Sequence, residues 1–188
     1  MLIFLIGYMG CGKSSIGRRL AARLGVPFVD MDTEIERREG LSVSDIFARH
    51  GEAHFRRVER EVLADLCALE RGVVATGGGV PCGEGNMERM NRSGLTVYFR
   101  MSPDKLVRRL EHGRDKRPLI RHMDDEQLLA YISGHLARRE PFYAQAGLVM
   151  ACDNISDDYI ARHIEMYVEN HPGGGDVVRP CGAGEPRS

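Results

Sequence analysis

Residues 1–14 read Met1-Leu2-Ile3-Phe4-Leu5-Ile6-Gly7-Tyr8-Met9-Gly10-Cys11-Gly12-Lys13-Ser14. The run from Met1 to Ile6 is apolar without alternation, the pattern of a parallel strand covered on both faces. The run from Gly7 to Ser14 matches G-x-x-x-x-G-K-[ST], a loop that cradles phosphates. Backbone N–H groups can converge on an anion only where no Cβ intrudes, and Gly7, Gly10 and Gly12 provide that space. Ile16, Leu20, Ala21 and Leu24 then recur at helical spacing. Gly25 closes that helix and Pro27 stands just beyond it. The helix turns its positive end to the anion. Lys13 supplies charge to the β- and γ-phosphates, and the Ser14 hydroxyl is a Mg²⁺ ligand. Gly10, Cys11, Gly12, Lys13, Ser14 and Ser15 are the nucleotide contacts so expected. The motif indicates a nucleoside triphosphate and leaves the reaction open.

Outward from this unit, strand and helix patterns alternate. Strands are expected at Val26–Asp30, Gly72–Ala75, Leu95–Phe99 and Leu148–Ala151. Helices are expected at Asp32–Glu39, Val43–His50, Glu52–Glu70, Ser102–Leu110, Asp125–Arg139 and Ile155–Asn170. Ser42 with Asp45 resembles a capping box, and Pro103 fits a first helical turn. The alternation predicts an α/β fold, a three-layer α/β/α arrangement with a five-stranded parallel sheet. Ligands in such sheets lie beyond the carboxyl ends of the strands. The polar, Arg-rich stretch 112–124 lacks periodicity and reads as a mobile lid. Residues 171–188 are rich in Gly and Pro and read as a disordered tail, leaving residues 1–170 as one domain.

With 188 residues, 43% hydrophobic and 28% charged, the chain fits one ordinary globular domain. Its formal net charge of -1 disfavours a nucleic-acid binder. The stretch Arg108–Arg121 does carry six Lys or Arg, but no interleaved aromatics. No apolar run approaches the roughly 20 residues that cross a bilayer, and Met1–Ile6 lacks the basic flank of a signal peptide. Five scattered cysteines form no CxxC pair, which suggests reduced thiols and a cytoplasmic location. Cys11 and Cys82 are either modifiable thiols or small fillers. No histidine has a metal-ligand partner at useful spacing.

Three further constellations bear on chemistry. Asp30 and Asp32 fall at a strand end opposite the cradle. A phosphoryl-transfer site needs one acid for magnesium and a group that orients or deprotonates the attacking hydroxyl. Asp32 could equally be a helix N-cap. Arg56 and Glu59 are neighbours on one helix face, either a rigid fork for a carboxylate or a solvated charged face. Thr76-Gly77-Gly78-Gly79 follows a strand end and lets backbone approach a ligand. A GTP-binding switch would carry Asn-Lys-x-Asp and Asp-x-x-Gly, and neither occurs.

The ordered set resembles the shikimate kinase family: the phosphate loop, Asp30-x-Asp32, Gly51-Glu52 with Phe55-Arg56-x-x-Glu59, Gly77-Gly78-Gly79, Arg117-Pro118-Leu119, and Arg139 with Pro141 and Tyr143. The match spans about residues 1 to 168. The resemblance implies ATP-dependent phosphorylation of the 3-hydroxyl of shikimate, with one Mg²⁺ per ATP, in a monomer. It implies that Lys13, Asp32 and Arg117 are catalytic, Asp32 binding the shikimate hydroxyls and acting as base. Asp30 would hold magnesium through water. Arg56 and Arg139 would clamp the carboxylate, while Gly78 and Gly79 contact the ring. Arg117 would close over the transferring phosphate from the lid, and Arg109 would lie on the adenine. The loop Asp153-Asn154-Ile155-Ser156 departs from the family in having no basic residue, which leaves the adenine contacts open. The alternatives are a kinase of the same fold for another hydroxylated acid such as gluconate, or a nucleotide-binding module without catalysis. The first would not require Arg56, the three glycines and Arg139 together.

Overall fold

The computed structural model describes residues 1–111 and 120–171. Among these residues five strands form one sheet: β1 (Leu2–Ile6), β2 (Phe28–Asp30), β3 (Gly72–Ala75), β4 (Leu95–Arg100) and β5 (Leu148–Ala151), in the order β2-β3-β1-β4-β5. All four pairings are parallel. β1 lies at the centre, with Ile3 opposite Val73 on one side and Leu95 on the other. All five of its residues are buried, as a strand covered on both faces requires. Among the described residues, seven α-helices flank the sheet: α1 (Lys13–Leu24), α2 (Met31–Glu39), α3 (Val43–Cys67), α4 (Asn86–Ser93), α5 (Pro103–Glu111), α6 (Asp125–Tyr143) and α7 (Asp157–Asn170). α1 packs on α7, α2 on α3, and α5 on α6.

The expected five-stranded parallel sheet is the one observed, and β3 and β5 have the expected bounds. Several helices depart instructively. The segments expected on either side of Gly51 form one helix with a kink, because Gly51 sits at φ 77°, ψ 174°, off the helical basin. That helix ends at Cys67, short of the expected Glu70, and Leu69 beyond it is 41% exposed. α4 had no counterpart in the sequence reading. It shows only Met87 and Met90 as buried apolar positions, and its buried Asn86 donates from Nδ2 to Val80 O at 2.8 Å. α6 continues past Arg139, through Pro141, to Tyr143. Pro141 has no N–H to give to Ala137 O four residues back, so the last turn lacks one intrahelical hydrogen bond. Arg139 and Tyr143, four residues apart, therefore share one helix face.

The lid residues 112–119, with Arg117, and the tail from residue 172 onward lie outside the described residues. α6 opens with a full capping box, in which Asp124 accepts from Gln127 N and Gln127 reaches back to Asp124 N.

Candidate active site

The phosphate loop occupies the turn between β1 and α1. Gly10 (φ 83°) and Gly12 (φ 98°) hold left-handed backbone that an L-residue resists, so the loop can curl its N–H groups inward. Lys13 Nζ donates to Gly7 O at 2.8 Å and Tyr8 O at 3.0 Å, so the ammonium spans the loop it belongs to. Ser14 Oγ donates to Asp30 Oδ2 at 2.5 Å. A hydroxyl and a carboxylate, both hard oxygen donors, thus meet at the first turn of α1, beside the lysine.

Asp30 has a second task. Its Oδ1 accepts from Asp32 N at 3.2 Å and caps α2. The capping role open to Asp32 in the sequence is filled by its neighbour, which leaves the Asp32 carboxyl to face the cleft from the first turn of α2. Burial, and then the negative charge of Asp30, hold Asp32 above the usual aspartate range, with Lys13 opposing. A carboxylate that prefers to take up a proton suits a general base.

The cleft has a volume of about 410 Å³. Lys13, Ser14 and Asp30 line it on the phosphate side, and Asp32, Gly77 and Gly78 line the far side. Arg109 lies at its edge and donates from Nη2 to Asp157 Oδ1 at 3.1 Å. Asp157 also accepts from Ser15 Oγ at 2.8 Å. This first residue of α7 ties the phosphate-loop helix to Arg109, and sequence reasoning missed it. The neighbouring Asp153 accepts from Ser102 N at 2.7 Å, so the acidic loop latches the start of α5.

Arg56 and Arg139 stand on either side of the three glycines. A Cβ added to Gly79 would lie 3.0 Å from Arg56 Nη1, and one added to Gly78 would lie 3.3 Å from Arg139 Nη1. Arg56 donates from Nη1 to both Glu59 oxygens, at 3.1 and 2.9 Å, and from Nη2 to the exposed Glu52 at 3.3 Å. Glu59 is only 4% exposed. Burial pushes its carboxyl up and the Arg56 guanidinium opposes that rise. The reading of Arg56 as part of a solvated face therefore fails: its partner is buried and the guanidinium is held in one orientation. Arg139 donates from Nη1 to Gly78 O at 3.3 Å and lies 5.4 Å over the Tyr8 ring. Tyr143 Oη donates to the same carbonyl at 2.6 Å.

Cys11 is fully buried beneath the loop. Burial pushes the Cys82 thiol up, against Arg139 and Arg56, so Cys82 is not an activated nucleophile.

The phosphate loop and an acid of raised pKa therefore line one cleft beyond the strand ends, and two cationic forks stand against the glycine turn that forms its wall. Such a set can hold a small carboxylate bearing hydroxyls against the terminal phosphate of a nucleotide.

The family model for shikimate kinase matches residues 9–169. A shikimate kinase of Bacteroides thetaiotaomicron is 43% identical over 155 residues, covering 82% of this chain and 89% of that protein. A crystal structure of shikimate kinase from the same organism superposes with a TM-score of 0.84 at 39% identity, over 90% of this chain and 98% of that one. A shikimate kinase from Acinetobacter baumannii, solved in complex with shikimate, superposes with a TM-score of 0.78 at 35% identity, over 90% and 93% of the two chains.

Proposed function

This chain belongs to the shikimate kinase family and is an ATP-dependent shikimate kinase, and from that premise we propose how its own residues transfer a phosphoryl group from ATP to the 3-hydroxyl of shikimate. The observation that carries the assignment of roles is the convergence of Asp32, Arg56 and Arg139 on Gly77–Gly79, facing the phosphate loop. A kinase for gluconate would need the loop and one acid. It would not need two arginines set on either side of a glycine turn.

Arg56 and Arg139 bind the carboxylate. Glu59 holds Arg56 in place, so that little side-chain freedom remains to be lost on binding. Gly78 and Gly79 allow the ring to lie against backbone. Asp32 accepts a hydrogen bond from the 3-hydroxyl and takes its proton as the oxygen attacks the γ-phosphorus. Lys13 leaves the carbonyls of Gly7 and Tyr8 for the β- and γ-phosphate oxygens, and the loop N–H groups of Gly10, Cys11, Gly12, Ser14 and Ser15 complete the cradle. Arg109 flanks the nucleotide. Arg117, outside the described residues, is assigned by resemblance alone to the charge that develops on the transferred group.

The paired oxygens of Ser14 and Asp30 fit Mg²⁺, a small hard cation that keeps several waters and is held through one or two protein groups plus substrate phosphates. Ser14 would bind it directly and Asp30 through water. When bound, the ion offsets charge on the phosphate oxygens. The family resemblance also supports a monomer acting in the cytoplasm. No helix among the described residues is long and apolar enough to cross a membrane.

The test is ADP release with ATP, Mg²⁺ and a panel of shikimate, gluconate and nucleoside monophosphates, for wild type beside Asp32→Asn and Arg139→Ala. Turnover with shikimate alone, lost in both variants, supports the assignment. Turnover with another acceptor would retain the kinase and remove the substrate.

A further inference from the structure

Gly78 O is the acceptor for two donors from one face of α6. Tyr143 Oη donates at 2.6 Å and Arg139 Nη1 at 3.3 Å. Tyr143 is fully buried, and its ring lies 5.1 Å from that of Tyr98, whose hydroxyl is spent on Glu140 at 2.5 Å. The Tyr143 hydroxyl is thus left for the substrate turn, where it meets both Gly78 O and the Arg139 guanidinium. The peptide joining Gly78 to Gly79 is planar and trans, so its C=O and N–H point in opposite directions. A carbonyl tied to α6 turns the Gly79 N–H away from α6. That N–H has no acceptor among the described residues. A Cβ on Gly79 would meet the Arg56 guanidinium, so the Gly79 side of this peptide is also the Arg56 side.

We propose that Tyr143 is a positioning residue for the acid substrate: its hydroxyl fixes the Gly78–Gly79 peptide and, through the shared carbonyl, seats Arg139. The proposal rests on shikimate being the substrate. A diglycine linkage has little intrinsic preference for one peptide orientation, so an external donor must set it. Without the hydroxyl, Arg139 is the one donor left to Gly78 O among the described residues. The guanidinium is then drawn toward the carbonyl and away from the substrate carboxylate. Tyr8 supports the same guanidinium from the phosphate loop through its ring.

Tyr143→Phe keeps the ring and its packing. It should raise KM for shikimate about 3- to 10-fold, the size of one neutral hydrogen bond, with KM for ATP unchanged. In an Arg139→Lys background, the same change should add less than in wild type, because the two act on one carbonyl. Tyr98→Phe is the control. It removes the hydroxyl bond of another buried tyrosine beside Tyr143 and should lower the Tm without moving KM for shikimate. If Tyr143→Phe lowers the Tm and leaves KM unchanged, Tyr143 is merely structural and the proposal falls. It also falls if Tyr98→Phe raises KM equally, or if the Tyr143 and Arg139 effects multiply independently. If wild type does not turn over shikimate at all, it is the substrate assignment that fails, and that result is visible before any variant is measured.

Discussion

Gly79→Ala perturbs the proposed carboxylate clamp without a backbone penalty. Gly79 sits at φ -90°, ψ -18°, a conformation open to any L-residue. Adding Cβ there restricts the unfolded chain, a gain of about 0.4–1 kcal/mol that offsets part of any crowding. The crowding falls on one group. The new Cβ would lie 3.0 Å from Arg56 Nη1, 3.4 Å from Nη2 and 3.6 Å from Cζ, against the edge and centre of the guanidinium. Arg56 must therefore give by a few tenths of an ångström, yet Glu59 holds Nη1 at 2.9 and 3.1 Å from a buried position. The shift degrades the fork presented to the substrate carboxylate. A hydrogen bond to a charged group contributes about 1.5–3 kcal/mol, so KM for shikimate should rise about 10- to 100-fold. The Tm should stay within a few degrees, and KM for ATP should hold within about twofold, since that site has no shared partner with Arg56. Steady-state kinetics varying each substrate, beside a thermal melt, reads all three. A folded Gly79→Ala protein with wild-type KM for shikimate would refute Arg56 as the carboxylate ligand at this wall.

Asp32→Asn should lower kcat by about 10²- to 10⁴-fold, the contribution of one general base, measured by ADP release at saturating substrates. It should also raise the Tm at neutral pH. The folded-state pKa of Asp32 lies above its unfolded value, so its favourable contribution exists at low pH and is lost as pH rises through the raised pKa. At neutral pH the buried carboxylate costs stability, and an amide removes that cost. An unchanged or lower Tm would contradict the burial argument. In wild type, kcat/KM should fall on acidification at a pH above the ordinary aspartate range, because Asp32 must be deprotonated to act. An acid limb that persists unmoved in Asp32→Glu would assign it to another group. Chelation of Mg²⁺ should abolish turnover, and Ser14→Ala should raise the Mg²⁺ concentration needed for half-maximal rate. If Ser14→Ala leaves that requirement unchanged, Ser14 is not the ligand.

What was legible in the sequence divides along physical lines. β1 and the phosphate loop were readable because an unbroken apolar run and a glycine pattern have few other uses. The strand at Gly72–Ala75 was delimited by its opening glycine and the Thr76-Gly77 turn after it, and that at Leu148–Ala151 by Gly147 before it and Asp153 soon after. α4 was hidden because two methionines and an asparagine anchor it, so its apolar face is too thin to register as a period. The passage of α6 through Pro141 was hidden too, since proline argues for an end rather than a last turn. In the site, Arg56 with Glu59 could be read from spacing, but their choice between solvent and pocket depended on the burial of Glu59. Asp30 and Asp32 were visible as a pair, and only the hydrogen bond to Asp32 N shows which of them caps α2. Asp157 had no local signal. Its partners, Ser15 and Arg109, are distant in sequence and meet it only in the folded chain.

The central claim is the transfer of a phosphoryl group to shikimate in preference to other hydroxylated acids. It is tested most directly in one tube, with this protein, ATP, Mg²⁺ and equal concentrations of shikimate and gluconate, followed by phosphorus NMR. The account predicts a single phosphomonoester signal, coupled to the proton on carbon 3 of shikimate, growing in step with ADP. A gluconate phosphate as the main product, or phosphate on a different shikimate hydroxyl, would contradict it.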